Sequence, residues 1–210
     1  ACVQVVIFSS PLVLDLNGDG LNLTDADHGV YFDINGDGAV DKTGWVAKED
    51  GLLTLDKNHN GLIDGQSELF GGATVDGFTV LAQYDQNADG VIDSKDAVWK
   101  DLTVWQDANQ DGVTQDGELT SLDSHGFTSI SLDATATDYQ VAGNGVSAES
   151  TVTGANGQET LIADAWFAFY SGSDELQMAA AKANEPVSGA QPVVISNFNA
   201  AEDKLDLSSL

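Results

Sequence analysis

The chain has 210 residues, 34 of them acidic and 7 basic, for a formal net charge of −27. Every basic residue is Lys. A surface this acidic repels phosphate backbones and anionic headgroups, which excludes nucleic-acid partners and polybasic membrane docking. Hydrophobic residues make up 42%, enough to bury a core in one domain or two small ones. Cys2 is the only cysteine, so neither an intrachain disulfide nor a thiolate metal cluster is expected. The apolar run Val3 to Phe8 is far shorter than the ~20 residues of a membrane helix. It reads as a strand, and no membrane insertion is expected.

Residues 1–10 read as a β-type lead-in that ends before Pro11. Three strands then feed polar loops: Pro11-Leu12-Val13-Leu14, Gly29-Val30-Tyr31-Phe32 and Leu52-Leu53-Thr54-Leu55. A helical face of Phe78, Leu81 and Ala82 leads into a fourth loop, and residues 94–101 read as its exit helix. Turn signals at Gly143-Asn144-Gly145 and Gly154-Ala155-Asn156-Gly157 predict antiparallel strands near 127–132, 138–142, 146–153 and 159–169. Residues 171–192 read as a linker or short helix, and 193–210 as a C-terminal strand segment.

The polar loops repeat one pattern, Asp-x-Asn-x-Asp/Asn-Gly. Loop one holds Asp15, Asn17, Asp19 and Gly20. Loop two holds Asp33, Asn35, Asp37 and Gly38, continuing to Asp41. Loop three holds Asp56, Asn58, Asn60 and Gly61, continuing to Asp64 and Glu68. Loop four holds Asp85, Asn87, Asp89 and Gly90, continuing to Asp93 and Asp96. Loop five holds Asp107, Asn109, Asp111 and Gly112, continuing to Gln115 and Glu118. Calcium takes six to eight oxygens, and a tight loop turns side chains 1, 3 and 5 toward one centre. Position 6 turns sharply, often with positive φ, which suits Gly. Position 7 offers a main-chain carbonyl, here from Leu21, Ala39, Leu62, Val91 and Val113. Position 12 closes the sphere with a carboxylate. Glu118 fits that position in loop five, and the shorter Asp96 fits it in loop four. In loop three the acid, Glu68, comes one residue late. Loop two has Gly44 at position 12, and loop one has Ala26 between the candidates Asp25 and Asp27. The fit therefore falls in the order five, four, three, two, one.

These readings give an α+β expectation: a calcium-loop-rich module with short strands, an EF-hand-like helical pair around loops four and five, and an antiparallel β-sheet. The module spans 11–170, between the lead-in at 1–10 and the segment 171–210. Four to five calcium ions are the expected cofactors, and a monomer is expected. His28, His59 and His125 lack zinc spacing, and neither a Gly-x-Ser-x-Gly elbow nor a phosphate-cradling loop occurs. Trp45, Trp99, Trp105 and Trp166 read as core. The alternative is a carbohydrate platform on a calcium-dependent adhesin or sugar-binding module. A signalling EF-hand would need a Met-rich groove, and Met178 is the only methionine.

Ser10-Pro-Leu-Val-Leu-Asp-Leu-Asn-Gly-Asp-Gly20, Thr43-Gly-Trp-Val46, Asp50-Gly-Leu-Leu53, Asp64-Gly-Gln-Ser-Glu-Leu-Phe-Gly71 and Ile162-Ala-Asp-Ala-Trp-Phe167 together resemble the self-processing modules of iron-regulated RTX proteins from Gram-negative bacteria. The resemblance runs over roughly residues 10–170. It implies type I secretion, with a secreted or cell-surface location, and calcium-driven folding. It also implies cleavage of an Asp-Pro bond at the module's N-terminal edge. In such modules the Asp carboxylate attacks its own carbonyl, proline leaves, and water or a lysine amine captures the anhydride, the amine giving an isopeptide to another protein. Residues 195–208 resemble segments near the C-terminus of type I secreted proteins. Here Ser10 stands before Pro11, where the resemblance calls for Asp. A hydroxyl forms no cyclic anhydride, so the junction Ser10–Pro11 is expected to be inactive and the chain to have no catalytic residue.

Overall fold

Short apolar runs such as Leu12-Val13-Leu14 and Leu52-Leu53 stand between the polar loops, and those segments form strands. The computed structural model describes residues 7–170. In chain order its strands are β1 (Ile7–Ser9), β2 (Leu12–Leu14), β3 (Leu23–Thr24), β4 (Val30–Phe32), β5 (Asp41–Thr43), β6 (Trp45–Val46), β7 (Gly51–Leu55), β8 (Val91–Asp93), β9 (Leu102–Trp105), β10 (Leu119–Ser121), β11 (Phe127–Ser131), β12 (Thr135–Val141), β13 (Asn144–Gly154) and β14 (Glu159–Tyr170). The one α-helix among the described residues, α1 (Gly77–Leu81), has five residues.

The main sheet is antiparallel and runs β10-β9-β7-β2-β14-β13-β11-β8, with β12 also on β13. The long strand β14 is its spine. The first half of β14 pairs with β2, Ile162 opposite Leu14, and its end pairs with β1 and β5. Central strands are buried on both faces, so alternate residues feed two apolar layers. Leu12, Leu14, Leu53 and Ile162 enter one layer. Val13, Leu52, Trp105 and Phe167 enter the other, where Trp45 meets Trp105 edge-on with ring centroids 5.4 Å apart. The four strands expected at the C-terminal side of the module are present as β11 to β14, and the strands expected before loops one to three are β2, β4 and β7. The linker and terminal strand expected after residue 170 lie outside the described residues, as do Cys2 and Met178.

The α+β expectation is overturned, because the described chain is mostly β and holds no EF-hand helical pair. Asp76 caps α1 through Thr79 N at 2.8 Å, but the helix gives way to a 3-10 turn at Ala82–Tyr84. Loop four then leaves through β8, and residues 97–101 form a 3-10 turn. Loop five is entered by β9 and left by β10, which pair with each other, Leu119 opposite Trp105. The reason is burial. Leu102, Val104 and Trp105 lose all exposure only when β9 lies flat against β7, and that pairing outweighs local helical periodicity. Loops four and five do not pair either. Thr114 of loop five joins Ile63 of loop three, its hydroxyl accepting from Ile63 N at 3.0 Å and donating to Ile63 O at 3.1 Å. Loop four docks instead on β11, Ile92 opposite Ile130.

Candidate functional site

All five loops follow one backbone path. Position 6 is left-handed in each: Gly20, Gly38, Gly61, Gly90 and Gly112 have φ from 73° to 97°. Position 4 is left-handed too, as Gly18 and Gly36 in the first two loops and as His59, Ala88 and Gln110 in the others. Non-glycine residues adopt this conformation at a cost, so the surrounding loop holds it in place. The first Asp of each loop accepts from the amide of the position-6 glycine, at 2.8–3.0 Å. The Asn at position 3 accepts from the position-5 amide in loops one to four. These bonds wrap the backbone around the carboxylates.

Three closing acids sit alike. Glu118 takes the amides of Ala108 and Gln115, positions 2 and 9 of its loop. Asp96 takes those of Gln86 and Asp93, again positions 2 and 9. Glu68 takes the amide of Asp64, position 9 of loop three. A closing acid at position 13 therefore reaches the same place as one at position 12. Burial pushes the Glu68 carboxyl above its ordinary range, and the negative charges of Asp64 and Asp56 add to that.

A fourth acid closes loop one, and sequence spacing did not find it. Asp50 is fully buried, and its Oδ2 accepts from Asn22 N at 2.8 Å. The nearby amide of Leu16, position 2 of loop one, favours its charged form. Burial drives the Asp50 pKa up to about 6, and the fields of Asp15 and Asp19 contribute. The residues expected near position 12 do other work. Asp25 accepts from His28 N at 2.9 Å and meets His28 Nδ1 at 2.7 Å, Ala26 is buried, and Asp27 is exposed. The signal that pointed to Asp50 was a strand pairing, which spacing along the chain does not carry.

The donor set fits a hard cation. Asp50 Oδ1, Glu68 Oε1, Asp85 Oδ1 and Gln115 Oε1 are buried oxygens without a hydrogen-bond partner, one in each of loops one, three, four and five. An orphaned buried oxygen costs stability unless a cation or donor takes it up. The loops offer carboxylate, side-chain amide and main-chain oxygens, the set that suits calcium. Among the described residues no three His, Cys, Asp or Glu side chains form a cage by themselves. Each loop depends on Asn and carbonyl oxygens as well. In loop two, Asp41 is buried on β5 and Asp33, Asn35 and Asp37 hold the turn. In loop four, Lys95 Nζ lies 2.9 Å from Asp89 and 3.0 Å from Asp93, so an ammonium bridges two of its carboxylates; it lowers the Asp89 pKa, and the Lys95 amide first and the ammonium second lower that of Asp93. Loop five is the most deeply seated. Asp107 is fully buried and accepts from Trp45 Nε1 at 2.7 Å, while Trp105 Nε1 reaches Glu118 at 3.3 Å.

The Ser10–Pro11 junction lies inside the sheet, where the chain passes from β1 to β2 along β14. Ser10 N donates to Gly72 O at 3.1 Å, and Ala165 N donates to Pro11 O at 3.0 Å. Ser10 Oγ donates to Asp164, which is fully buried and also accepts from Gly77 N at 2.7 Å, Ser147 Oγ at 2.5 Å and Trp166 Nε1 at 2.7 Å. Gly71 has φ +122°, and a Cβ there would stand 2.3 Å from Ser10 O, so only glycine fits against the junction. Asp164 and Gly71 belong to the resemblance motifs, yet nothing in their spacing placed them beside residue 10. Of the four tryptophans, Trp45, Trp99 and Trp105 are buried and Trp166 is half-buried with its indole nitrogen engaged.

The SPM domain model matches residues 12–168. The chain belongs to the SPM domain family. The match begins one residue after Pro11 and covers the five loops and β14 as far as residue 168, so the loops, most of the strand spine and Asp164 lie within the SPM domain. A curated relative, iron-regulated protein FrpA of Neisseria meningitidis serogroup C, is 43% identical over 132 residues, covering 58% of this chain and 12% of the relative. The chain thus spans about an eighth of that protein's length, and the two share an FrpA-related module.

Proposed function

We propose that this SPM domain is a calcium-folded module of an exported RTX-type protein, built on the self-processing scaffold and silent in cleavage at its own Ser10–Pro11 bond. The observation that carries the reading is the set of four buried oxygens without hydrogen bonds, one in each of four loops of the same backbone form. The net charge of −27 agrees with it. In a calcium-poor cytosol the acidic loops repel one another and the chain stays loose enough to be exported. In extracellular calcium the loops close. If calcium stands at ~100 times Kd, each filled site adds ~2.7 kcal/mol, and three or four such sites match the ~5–15 kcal/mol that stabilises an ordinary domain.

Cleavage is proposed to be silent because a five-membered anhydride needs a carboxylate on the residue whose carbonyl is attacked. Ser10 offers a hydroxyl that is held by Asp164. The deciding experiment is circular dichroism and thermal melting with calcium and with EDTA. The expected result is a cooperative transition in calcium and its loss or large downward shift in EDTA. An unchanged cooperative melt in EDTA overturns the proposal.

A further inference from the structure

The geometry points to Asp50 as the closing ligand of a cation site in loop one, shared between two strands that are far apart in sequence. This rests on the calcium reading above and names a ligand that the loop pattern lacks. Three observations converge. The β2–β7 register sets Val13 opposite Leu52 and Leu14 opposite Gly51, so the next pair outward is Asp15 and Asp50. Side chains directly opposite in an antiparallel pair lie ~4.5–5.5 Å apart at Cβ, and like charges there repel. The same pair is tolerated when a cation lies between the carboxylates. Second, Asp50 takes the amide of Asn22, position 8 of loop one, much as the acids of loops four and five take the amide of position 9 in theirs. Third, Asp50 has no exposed surface, yet its Oδ1 has no hydrogen-bond partner, while Oδ2 is taken by Asn22.

The ion's ligands are then Asp15, Asn17, Asp19, the Leu21 carbonyl and Asp50. Asp15 follows β2, the strand that begins just after Pro11, and Asp50 precedes β7. An ion held by both would clamp β2 to β7 and so fix the strand that carries the junction. Loops three, four and five are closed from within one stretch of chain and lack this reach.

The test is calcium titration of the full chain by calorimetry and by amide NMR, comparing the unmodified protein, Asp50→Asn and Glu118→Gln. Asp50→Asn keeps an oxygen for the Asn22 amide and removes the charge. It should abolish the calcium response of the Gly18 to Asn22 amides, or weaken it by more than the roughly tenfold cost of losing an outer-shell partner, and leave the Asp107 to Glu118 amides responding. Glu118→Gln should do the reverse. A second readout needs no variant: the side-chain carboxylate carbon of Asp50 should shift when calcium is added to the unmodified chain. Loop one responding equally in Asp50→Asn, or an Asp50 carboxylate indifferent to calcium while loops three to five fill, overturns the inference alone. A chain that takes up no calcium at all overturns the calcium reading and the inference with it.

Discussion

Trp45 Nε1 donates a 2.7 Å hydrogen bond to Oδ2 of Asp107, which also accepts from Gly112 N at 2.8 Å. Both residues are fully buried. An indole in the apolar core thus fixes the first carboxylate of loop five, which couples the loop's shape to the packing of Phe32, Trp105 and Phe167 around the same ring. Trp45→Phe keeps most of that ring contact and removes the donor. It should cost about 1.5–3 kcal/mol, the usual worth of one hydrogen bond to a charged group, since Gly112 N still serves the same oxygen. Chemical denaturation of the two proteins in calcium checks the size. The same titration followed by loop-five amide shifts should show weaker binding at that loop.

Glu118 closes loop five through two main-chain amides, whereas Asp27 is an exposed side chain outside any loop closure. Glu118→Gln should therefore weaken calcium binding strongly, and Asp27→Asn should leave it nearly unchanged. Calorimetric titration separates the two. Equal effects would mean that Glu118 does not close the loop.

The junction gives a gain-of-function prediction. Ser10→Asp places a carboxylate beside buried Asp164, which already accepts three hydrogen bonds from Gly77, Ser147 and Trp166. Two like charges in a buried site raise the pKa of one of them. Calcium uptake that holds β2 in place leaves the introduced carboxylate next to its own carbonyl. Oxygen attack there forms a five-membered anhydride, the C–N bond to Pro11 breaks, and the proline nitrogen leaves with a proton. The chain as it stands should remain whole in calcium, and Ser10→Asp should be cut between residues 10 and 11, as read by mass spectrometry. An intact Ser10→Asp chain with filled loops would reduce the relation to shared fold. Cutting of the Ser10 chain at that bond would rule out the anhydride route.

His125 supplies a pH prediction independent of the loops. Its ring stacks on Phe127 with centroids 5.5 Å apart, and Nε2 lies 2.7 Å from Thr120 Oγ1. Burial disfavours the imidazolium and lowers the pKa below the ordinary 6.5. The unfolded chain then binds the proton first as pH falls. The contribution of His125 to stability is fully present above pH 6.5 and is lost as pH drops through that value toward the lower folded pKa. NMR titration should find the His125 ring protonating below pH 6.5. His125→Gln should flatten this part of the stability profile.

Much of the candidate site is a local property of the chain. Asp at position 1 and Gly at position 6 are bound to each other by a hydrogen bond five residues long, so the loops could be read from spacing. The strands β11 to β14 were legible because turn residues and alternation are likewise short-range. Glu68 closing loop three from position 13 was also within reach, since the two sites differ by one residue.

Three features had no local signal. Helical periodicity beside loops four and five promised an EF-hand pair, but β9 gains more by lying against β7 and burying Trp105. Which loops associate depended on that choice, and Thr114 met Ile63 rather than a residue of loop four. Asp50 reaches the Asn22 amide of loop one only because β2 and β7 are paired in one register. Ser10 and Asp164 touch across 154 residues for the same kind of reason. Loop chemistry follows from residues a few bonds apart. Closure across strands follows from sheet pairing, where the burial of both faces selects a single register and brings distant carboxylates together.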